Sequence, residues 1–453
     1  MEDINNTIVA LSTPVGYGAI GIIRISGPAA KTIVRPFVDN KFSFEPNRIK
    51  YTKFSDNQDH IDEVLISYFK APKSYTGEDM IEISCHGSPY IIEKIIDLCT
   101  GNGAVMAEPG EFTKRAFLND KMDLSQAEGV DALIHARTRH AHDTAKNLLT
   151  GQLGKTIRSF KTELIDIITL LELELDFSDQ EIDFTPHDKI RDKISRLKDQ
   201  ISNLLNTYYY GKIIKDGVKT VLIGPPNSGK SSLMNALLQE ERSIVSEIPG
   251  TTRDYIEESF RREGYQFRLI DTAGLRTTSD KVETLGIERA YEAINTADLK
   301  IILVDASDFK KDIISDIQKL ADDQTIIAIN KIDISTPDQI KKIAKHFTNY
   351  SVIEISAKEH THIHKLADKM VSIIRQIIPR NSDLFITIKR HFNILNDTVK
   401  ELNNTIRSIN NGNPSELIVT DMRFALNHLD KILGKTTDDD ILNNIFQNFC
   451  IGK

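Results

Sequence analysis

The stretch GPPNSGKS, from Gly224 to Ser231, decides the fold of the central part of this chain. It follows the apolar run 220–223 and precedes the helical pattern SSLMNALL, which is the strand, loop and helix order of a phosphate-binding loop. Gly224 and Gly229 let the backbone amides turn toward phosphates, Lys230 supplies a positive charge, and the Ser231 hydroxyl can bind Mg²⁺. The pattern predicts a nucleoside triphosphate site, with a chance glycine-rich turn as the alternative.

A second motif, NKID, indicates which base is bound. It follows the apolar run 325–329 and contains Asn330, Lys331 and Asp333. The Asp333 carboxylate can accept hydrogen bonds from the ring N–H and the amino group of guanine, whereas adenine offers no such pair of donors. A site built on such bonds can reject an analogue that lacks them by about 10⁴-fold. The sequence therefore favours GTP over ATP, with the Lys331 stem over the base and a backbone amide of the segment Ser356, Ala357, Lys358 facing the guanine oxygen.

Two further elements lie between these motifs. Thr252, in GTTRD, is suited to bind Mg²⁺, Asp271 to hold Mg²⁺ through water, and the Gly274 amide to contact the γ-phosphate. Residues 218–378 are predicted to form a doubly wound α/β GTPase domain, with strands near 219–223, 266–271, 300–305, 325–330 and 352–356. The predicted GTP-binding residues are Asn227, Ser228, Gly229, Lys230, Ser231, Ser232, Ser246, Glu247, Ile248, Pro249, Gly250, Thr251, Thr252, Asp271, Thr272, Ala273, Gly274, Asn330, Lys331, Asp333, Ser356, Ala357 and Lys358.

The group that activates water is not the glutamine of small switch GTPases, because Leu275 follows the DTAG turn. The sequence shows no arginine finger, and Arg253 and Arg276 are expected to be surface or switch arginines. We select Glu283 over Asp280 as a base acting through water. The alternative is that this charged loop is only solvated.

Composition describes a multidomain chain. The 453 residues, 40% of them hydrophobic, suffice for about three packed domains. Three cysteines without metal-ligand spacing favour a reducing compartment, and no signal peptide or membrane span is recognisable. The net charge of −8 argues against a large basic face that would hold RNA alone.

Outside the GTPase region the chain changes character twice. The first part carries short β-rich runs near 7–11, 19–26, 64–69 and 80–84 and one helix near 90–98, which predicts an α+β domain. Helical patterns precede and follow the GTPase region, so the simplest prediction is one helical domain with the GTPase inserted; two separate bundles are the alternative. The predicted domains are 1–118 (α+β), 119–216 (helical, first part), 217–379 (GTPase) and 380–453 (helical, second part).

The ending FCIGK does not fit a prenylation signal, because Gly452 and Lys453 are wrong for it. From composition alone, Cys450 after two phenylalanines is expected to be a buried or inert thiol.

Several long strings show a resemblance to a known family. They are GIIRISG at Gly21, YTGEDMIEISCHG at Tyr75, PGEFTKRAFLNDKMDLSQAE at Pro109, IPGTTRD, DTAGLR with ETLGIERA, and the terminal FCIGK. With the phosphate-binding loop, they resemble over the whole length the tRNA modification GTPase family that acts on the wobble uridine of certain tRNAs.

The resemblance implies that the N-terminal domain dimerises and binds a tetrahydrofolate carrier. Arg24, Glu82, Lys121 and Lys453 then carry over as folate contacts, although each could otherwise be a surface ion pair. Cys450 is implicated in the modification chemistry.

For the GTPase, the resemblance implies paired domains and a potassium ion in place of an arginine finger. Asn227 would bind K⁺ through its side chain, and Ser246, Ile248 and Thr251 through their backbone. Ser231 and Thr252 would bind Mg²⁺, and Glu283 matches the catalytic glutamate. Pro249 stands where the family commonly has alanine. The proline would stiffen this loop without removing any of the potassium ligands named above.

The expected function is that of a GTP-hydrolysing, cytoplasmic homodimer without a membrane association. With a FAD-dependent partner, in a heterotetramer or larger complex, it would add an aminomethyl or carboxymethylaminomethyl group to C5 of uridine 34 in tRNA. The carbon would come from a tetrahydrofolate derivative. One alternative is a regulatory switch GTPase without modification activity, which would have no use for folate. The other is that the N-terminal domain is only a dimerisation scaffold.

Overall fold

A computed structural model describes residues 6–57, 59–176, 185–240, 257–271, 291–379, 384–437 and 439–452. The chain forms two compact units. One contains Met1–His135, Ala145–Leu197 and Asp397–Lys453, and the other contains Ala136–Thr144 and Lys198–Asn396.

The first unit contains a six-stranded sheet with the order β3-β4-β5-β2-β1-β6. Its strands are Ile8–Leu11 (β1), Ile20–Ser26 (β2), Ile49–Asp56 (β3), Asp59–Phe69 (β4), Met80–His86 (β5) and Val105–Met106 (β6). Side chains of a strand alternate between the two faces, so Ile23 and Ile25 enter the core while Arg24 lies on the other face. The register pairs Arg24 with Glu82 of β5. The two predicted folate contacts therefore lie side by side on one face of the sheet.

Within the described residues the α-helices are, in chain order, Ala30–Val34 (α1), Pro89–Gly101 (α2), Glu111–Leu118 (α3), Leu124–Ile134 (α4), Arg139–Leu149 (α5), Gln152–Asp176 (α6), His187–Asn206 (α7), Tyr208–Asp216 (α8), Lys230–Glu240 (α9), Ile313–Leu320 (α10), Pro337–Ala344 (α11), Ile363–Ile377 (α12), Lys389–Asn410 (α13), Ser415–Leu433 (α14) and Asp439–Phe446 (α15). Among the described residues, no helix is long and apolar enough to cross a membrane.

Helices from before and after the GTPase motifs pack against each other in the first unit. Leu164, Ile168 and Leu171 form the buried stripe of α6. At the border between α6 and α14, Arg423 Nη2 donates to Glu172 Oε1 at 2.6 Å, and Lys161 pairs with Asp430. Such packing supports one helical domain interrupted by the GTPase region, although the exact domain boundaries remain predictions.

The second unit contains the other six-stranded sheet, with the order β12-β11-β10-β7-β9-β8. The strands are Val218–Ile223 (β7), Glu257–Arg262 (β8), Tyr265–Asp271 (β9), Leu299–Asp305 (β10), Thr325–Asn330 (β11) and Ser351–Glu354 (β12). Only β8 runs antiparallel to its neighbour; the other pairs in this sheet are parallel. The predicted doubly wound fold is confirmed, and the five predicted strands lie within two residues of their predicted bounds. Parallel strands bring their carboxyl ends to one edge, which places Asp271, Asp305 and Asn330 at the same edge of the sheet.

Candidate functional site

A cavity of about 730 Å³ lies at this edge of the second unit. Three segments form it: the loop GPPNSGKS with the start of α9, the NKID motif after β11, and the Ser356–Lys358 segment after β12. The lining residues are Pro226, Asn227, Gly229, Lys230, Ser231, Ser232, Asn330, Lys331, Asp333, Ile334, Ser356, Ala357 and Lys358. The structure thus brings together three motifs that the sequence predicted to share one nucleotide.

The loop needs glycine at 229 for two reasons. Gly229 has a φ of +98°, a conformation that residues with a side chain rarely adopt. In addition, a Cβ at this position would lie 2.2 Å from Asn330 Nδ2. Asn227 also adopts a left-handed conformation, with φ of 61°. The loop therefore curls tightly against the NKID motif, and its backbone amides precede the N-terminus of α9, which favours anions.

Lys230 begins α9 and its ammonium group lies within the curl of the loop. Its Nζ donates to the carbonyl oxygens of Gly224 at 2.9 Å and Pro225 at 3.0 Å. This side chain is buried, so its charge is concentrated where phosphates would enter.

Ser231 and Asp271 lie together at the mouth of the loop. The Ser231 hydroxyl donates to Asp271 Oδ2 at 3.1 Å. The two oxygens come from α9 and from the end of β9, as the sequence predicted for the magnesium side of the site.

Asn330 connects the three segments of the cavity. Its Nδ2 donates to the Ser228 carbonyl at 2.8 Å, and its Oδ1 accepts from the Ala357 amide at 2.9 Å. Nearby, Ser356 Oγ donates to Asp333 Oδ1 at 2.6 Å, which orients the carboxylate predicted to recognise guanine. These bonds fix the relative positions of the phosphate loop and the base-recognition segments.

One charged residue beside the cavity was missed by the sequence analysis. Asp305, at the end of β10, pairs with Lys331 at 2.5 Å between Nζ and Oδ2. Its signal in the sequence is an aspartate that directly follows a buried apolar strand at the same sheet edge as the NKID motif.

The remaining predicted residues of the GTPase site lie outside the described part of the chain. They are Ser246, Glu247, Ile248, Pro249, Gly250, Thr251, Thr252, Thr272, Ala273, Gly274 and Glu283. Their roles stay predictions.

A second candidate site lies in the first unit around Arg24. Arg24 donates from Nε and Nη2 to Glu82 Oε1, at 3.0 and 2.7 Å. Its guanidinium carbon lies 5.4 Å from the ring centre of Tyr75 and 5.6 Å from that of Phe112. Tyr75 shares a hydrogen bond of 2.8 Å with the buried Thr113, which follows Phe112 in α3. The result is a cation between two aromatic rings beside a carboxylate.

The last described residues of the chain return to this site. Gly452 accepts at its carbonyl from Arg24 Nη1 at 3.2 Å and from Ser12 Oγ at 2.9 Å. A Cβ at Gly452, whose φ is +85°, would lie 2.1 Å from the Leu11 carbonyl, so only glycine fits this approach. Lys453 lies outside the described residues.

Cys450 corrects the expectation drawn from composition. It is exposed rather than buried, whereas Cys85 and Cys99 are buried. The reason is that Phe446 and Phe449 fill the core beside α4, whereas Cys450 and Ile451 lie exposed before the buried Gly452 reaches Arg24.

Lys121, the remaining predicted folate contact, binds another part of the same unit. Its Nζ donates to the Pro72 carbonyl at 2.9 Å, close to the segment that carries Tyr75. The role of Lys121 as a folate contact stays a prediction.

Comparison with known proteins identifies the family of the chain. Residues 7–121 match the family described as GTP-binding protein TrmE N-terminus, and residues 124–450 match the MnmE helical domain. A protein named tRNA modification GTPase MnmE from Clostridioides difficile (strain 630) is 41% identical over 99% of this chain and 100% of its own length. A protein of the same name from Christiangramia forsetii is 40% identical over 99% of this chain and 100% of its own length.

The solved G domain of the T. maritima FeoB iron transporter is 29% identical and covers 34% of this chain and 98% of its own, with a TM-score of 0.27. That score is too low to support an inference. The full-length similarity to the curated relatives is decisive, and the chain belongs to the tRNA modification GTPase MnmE family.

Proposed function

We propose that this chain hydrolyses GTP as part of the machinery that modifies the wobble uridine of tRNA. The observation that carries the proposal is the single cavity in which the phosphate loop, the NKID motif and the Ser356–Lys358 segment meet. A guanine nucleotide needs all three at once: amides and a lysine for its phosphates, a carboxylate for its base, and an amide for its ring oxygen.

Each group of the cavity has a distinct part in binding. Lys230 exchanges its two carbonyl partners for phosphate oxygens, which are stronger acceptors because they are charged. Asp333, oriented by Ser356, accepts from the guanine N–H groups. Asn330 keeps the two halves of the cavity at a fixed distance, so the nucleotide meets groups that need little rearrangement.

The donor set fits a magnesium ion. Magnesium prefers oxygen ligands and retains several waters, and Ser231 Oγ and Asp271 Oδ2 are two such oxygens at the phosphate end of the cavity. Thr252 is the further proposed ligand. When bound, the ion neutralises charge on the phosphates.

A potassium ion fits the other side of the phosphate loop in this proposal. Asn227 lines the cavity in a left-handed conformation and offers an amide oxygen, the type of ligand an alkali cation takes. The backbone of Ser246, Ile248 and Thr251 would supply further oxygens, and Glu283 would orient the attacking water. Pairing of two GTPase domains would complete this arrangement, and its opening and closing would follow hydrolysis.

The residues around Arg24 fit a tetrahydrofolate derivative. Such a carrier has a planar ring with amino and N–H groups and a carboxylate tail. Tyr75 and Phe112 provide aromatic faces, Glu82 can accept from N–H groups, and Arg24, Lys121 and Lys453 can meet carboxylates. Bound there, the carrier would supply the one-carbon unit, with the exposed Cys450 nearby. The N-terminal domain would also form the homodimer.

The complete proposal includes partners. A FAD-dependent protein would join the homodimer in a heterotetramer or larger complex, and together they would add an aminomethyl or carboxymethylaminomethyl group at C5 of uridine 34. A cytoplasmic location follows from this role as part of the proposal.

The proposal can be tested on tRNA from cells that lack the gene. Mass spectrometry of digested tRNA should show loss of the C5-substituted wobble uridine, restored by the unsubstituted chain. Arg24→Ala should fail to restore it while keeping its GTP turnover and its dimer, because Arg24 belongs to the N-terminal sheet and does not line the GTPase cavity. Arg48→Ala, an exposed arginine on the same domain, is the matched control and should restore the modification.

Unchanged tRNA in cells without the gene would contradict the proposal and favour a regulatory switch GTPase. If Arg24→Ala restored the modified uridine, the role in tRNA modification would stand. The N-terminal domain would then be interpreted as a dimerisation scaffold without a folate site.

A further inference from the structure

Asp305 and Lys331 form a close ion pair at the edge of the nucleotide cavity. Lys331 Nζ lies 2.5 Å from Asp305 Oδ2, and the side chains are 30% and 13% exposed. Lys331 lines the cavity, whereas Asp305 does not. The aspartate therefore contacts a residue that lines the cavity without lining the cavity itself.

The fold fixes both ends of this pair. β10 and β11 are parallel neighbours whose register sets Asp305 opposite Asn330, the residue before Lys331. The backbone of Lys331 adopts the left-handed helical conformation, with φ of 66° and ψ of 37°. A lysine rarely adopts that conformation, which is strained for a residue with a side chain and is typically retained where function requires a particular side-chain direction.

Asp305 is held more firmly than a surface carboxylate. Its Oδ1 accepts from the Ser307 amide at 2.9 Å and from the Ser307 hydroxyl at 2.6 Å, which leaves Oδ2 for Lys331. Burial raises the pKa of Asp305, and the hydrogen bonds from Lys331 and Ser307 lower it by more, so the pKa lies below its ordinary value. The carboxylate thus stays charged at neutral pH and presents a fixed oxygen.

A lysine without such an anchor loses much rotamer freedom when it orders against a ligand. That loss of conformational entropy opposes binding, and it is among the largest of any side chain for lysine. An ammonium already bound to a fixed carboxylate has its methylene stem directed before the ligand arrives, so this cost is smaller on binding.

We propose that Asp305 is a positioning residue for guanine nucleotides, which holds the stem of Lys331 across the base-binding part of the cavity. The inference rests on the proposed guanine-nucleotide site and deepens it. Because Asp305 acts on the nucleoside part, it should affect GDP and GTP equally and should leave the phosphate chemistry alone.

The test uses the full-length chain and a fluorescent GDP titrated by polarisation. Asp305→Asn should weaken binding about tenfold, which corresponds to the loss of one charge-assisted contact. The affinity of Asp305→Asn for a non-hydrolysable GTP analogue should fall by the same factor. In steady-state turnover, KM for GTP should rise by a similar factor while kcat changes much less.

The chain offers a matched control, an ion pair at the other end of β10 and β11. Lys300 and Asp322 form an ion pair of 2.7 Å at the opposite end of β10 and β11, away from the cavity lining. Asp322→Asn removes the carboxylate of an ion pair at the other end of these strands, just before β11, so it should match the unsubstituted chain in nucleotide affinity. Thermal unfolding of both variants shows how far the fold itself is affected.

A double variant separates positioning from structural damage. If Asp305 acts through Lys331, then adding Asp305→Asn to Lys331→Ala should weaken GDP binding no further. An additive loss would overturn the proposal, as would an Asp305→Asn affinity equal to that of the unsubstituted chain. Tighter binding would also overturn it, since the carboxylate would then merely repel the phosphates. Failure of the unsubstituted chain to bind the probe would instead refute the nucleotide site itself.

Discussion

Asp333 is the single residue on which base selectivity depends in this proposal. Its carboxylate, held by Ser356 at 2.6 Å, is matched to two donors of guanine. Asp333→Asn replaces one acceptor by a donor, which no longer fits the guanine amino group but fits the 2-oxo group of xanthine. We expect KM for GTP to rise by about 10²-fold or more, and xanthosine triphosphate to become the better substrate.

Steady-state turnover with both nucleotides checks this expectation. Asp338→Asn, in the first turn of α11 and outside the cavity lining, is the control. Retained preference for GTP in Asp333→Asn would show that another group selects the base.

The three cysteines should differ sharply in reactivity. Burial raises the pKa of Cys85 to about 11 and that of Cys99 to about 12, so at pH 8 both are buried thiols with almost no thiolate. Cys450 is exposed. Because the thiolate is the nucleophile, iodoacetamide at pH 8 should label Cys450 alone in the native chain and all three after denaturation.

Peptide mass spectrometry of the labelled chain measures this directly. Rapid native labelling of Cys85 or Cys99 would mean that the core of the N-terminal domain opens far more readily than its packing implies.

At the scale of elements, α4 depends on a capping box that belongs to the long PGEF…LSQAE string. Asp123 Oδ1 accepts from the Gln126 amide at 3.0 Å, and Gln126 Oε1 accepts from the Asp123 amide at 3.0 Å. Asp123→Ala should cost about 1 kcal/mol and lower the unfolding midpoint of its cooperative unit by roughly 2–4 °C.

Differential scanning calorimetry tests this cap, with Glu93→Ala on the exposed side of α2 as the control that should change little. An unchanged midpoint in Asp123→Ala would mean that tertiary packing alone defines the start of α4.

The central strands of the GTPase sheet could be predicted because burial on both faces makes their sequences continuously apolar. β11 is buried at every position and reads as a continuous apolar run ending in Asn330, as expected of a parallel strand covered on both faces. β8, with the sequence EESFRR, is an edge strand whose pairing comes from its neighbour rather than from its own apolar content, so it was missed. β3 was missed for a similar reason: it is the outermost strand of the N-terminal sheet and alternates with charged residues.

The candidate site likewise contains residues that the sequence predicted and one that it did not. The motifs proposed to bind the nucleotide each have fixed spacing within a short segment, so they could be recognised in the sequence. Asp305 belongs to no motif, and its importance depends on the register between β10 and β11, which only the fold supplies.

At the scale of the whole molecule, each unit joins segments that are far apart in the chain. Gly452 binds Arg24 and Ser12 across more than 400 positions, at sequence separations of 428 and 440. Such long-range contacts leave little trace in a single sequence, and here only the resemblance to the family linked the two ends.

The measurement that bears most directly on the proposed function is GTP turnover by the purified chain in K⁺ and in Na⁺ at matched ionic strength. Asn227→Ala is compared with Asn235→Ala, an exposed position of α9 outside the cavity lining. We predict strong stimulation by K⁺ in the unsubstituted chain and in Asn235→Ala, and its loss in Asn227→Ala. Equal turnover in both salts would contradict the potassium-dependent pairing of GTPase domains and leave an ordinary switch GTPase.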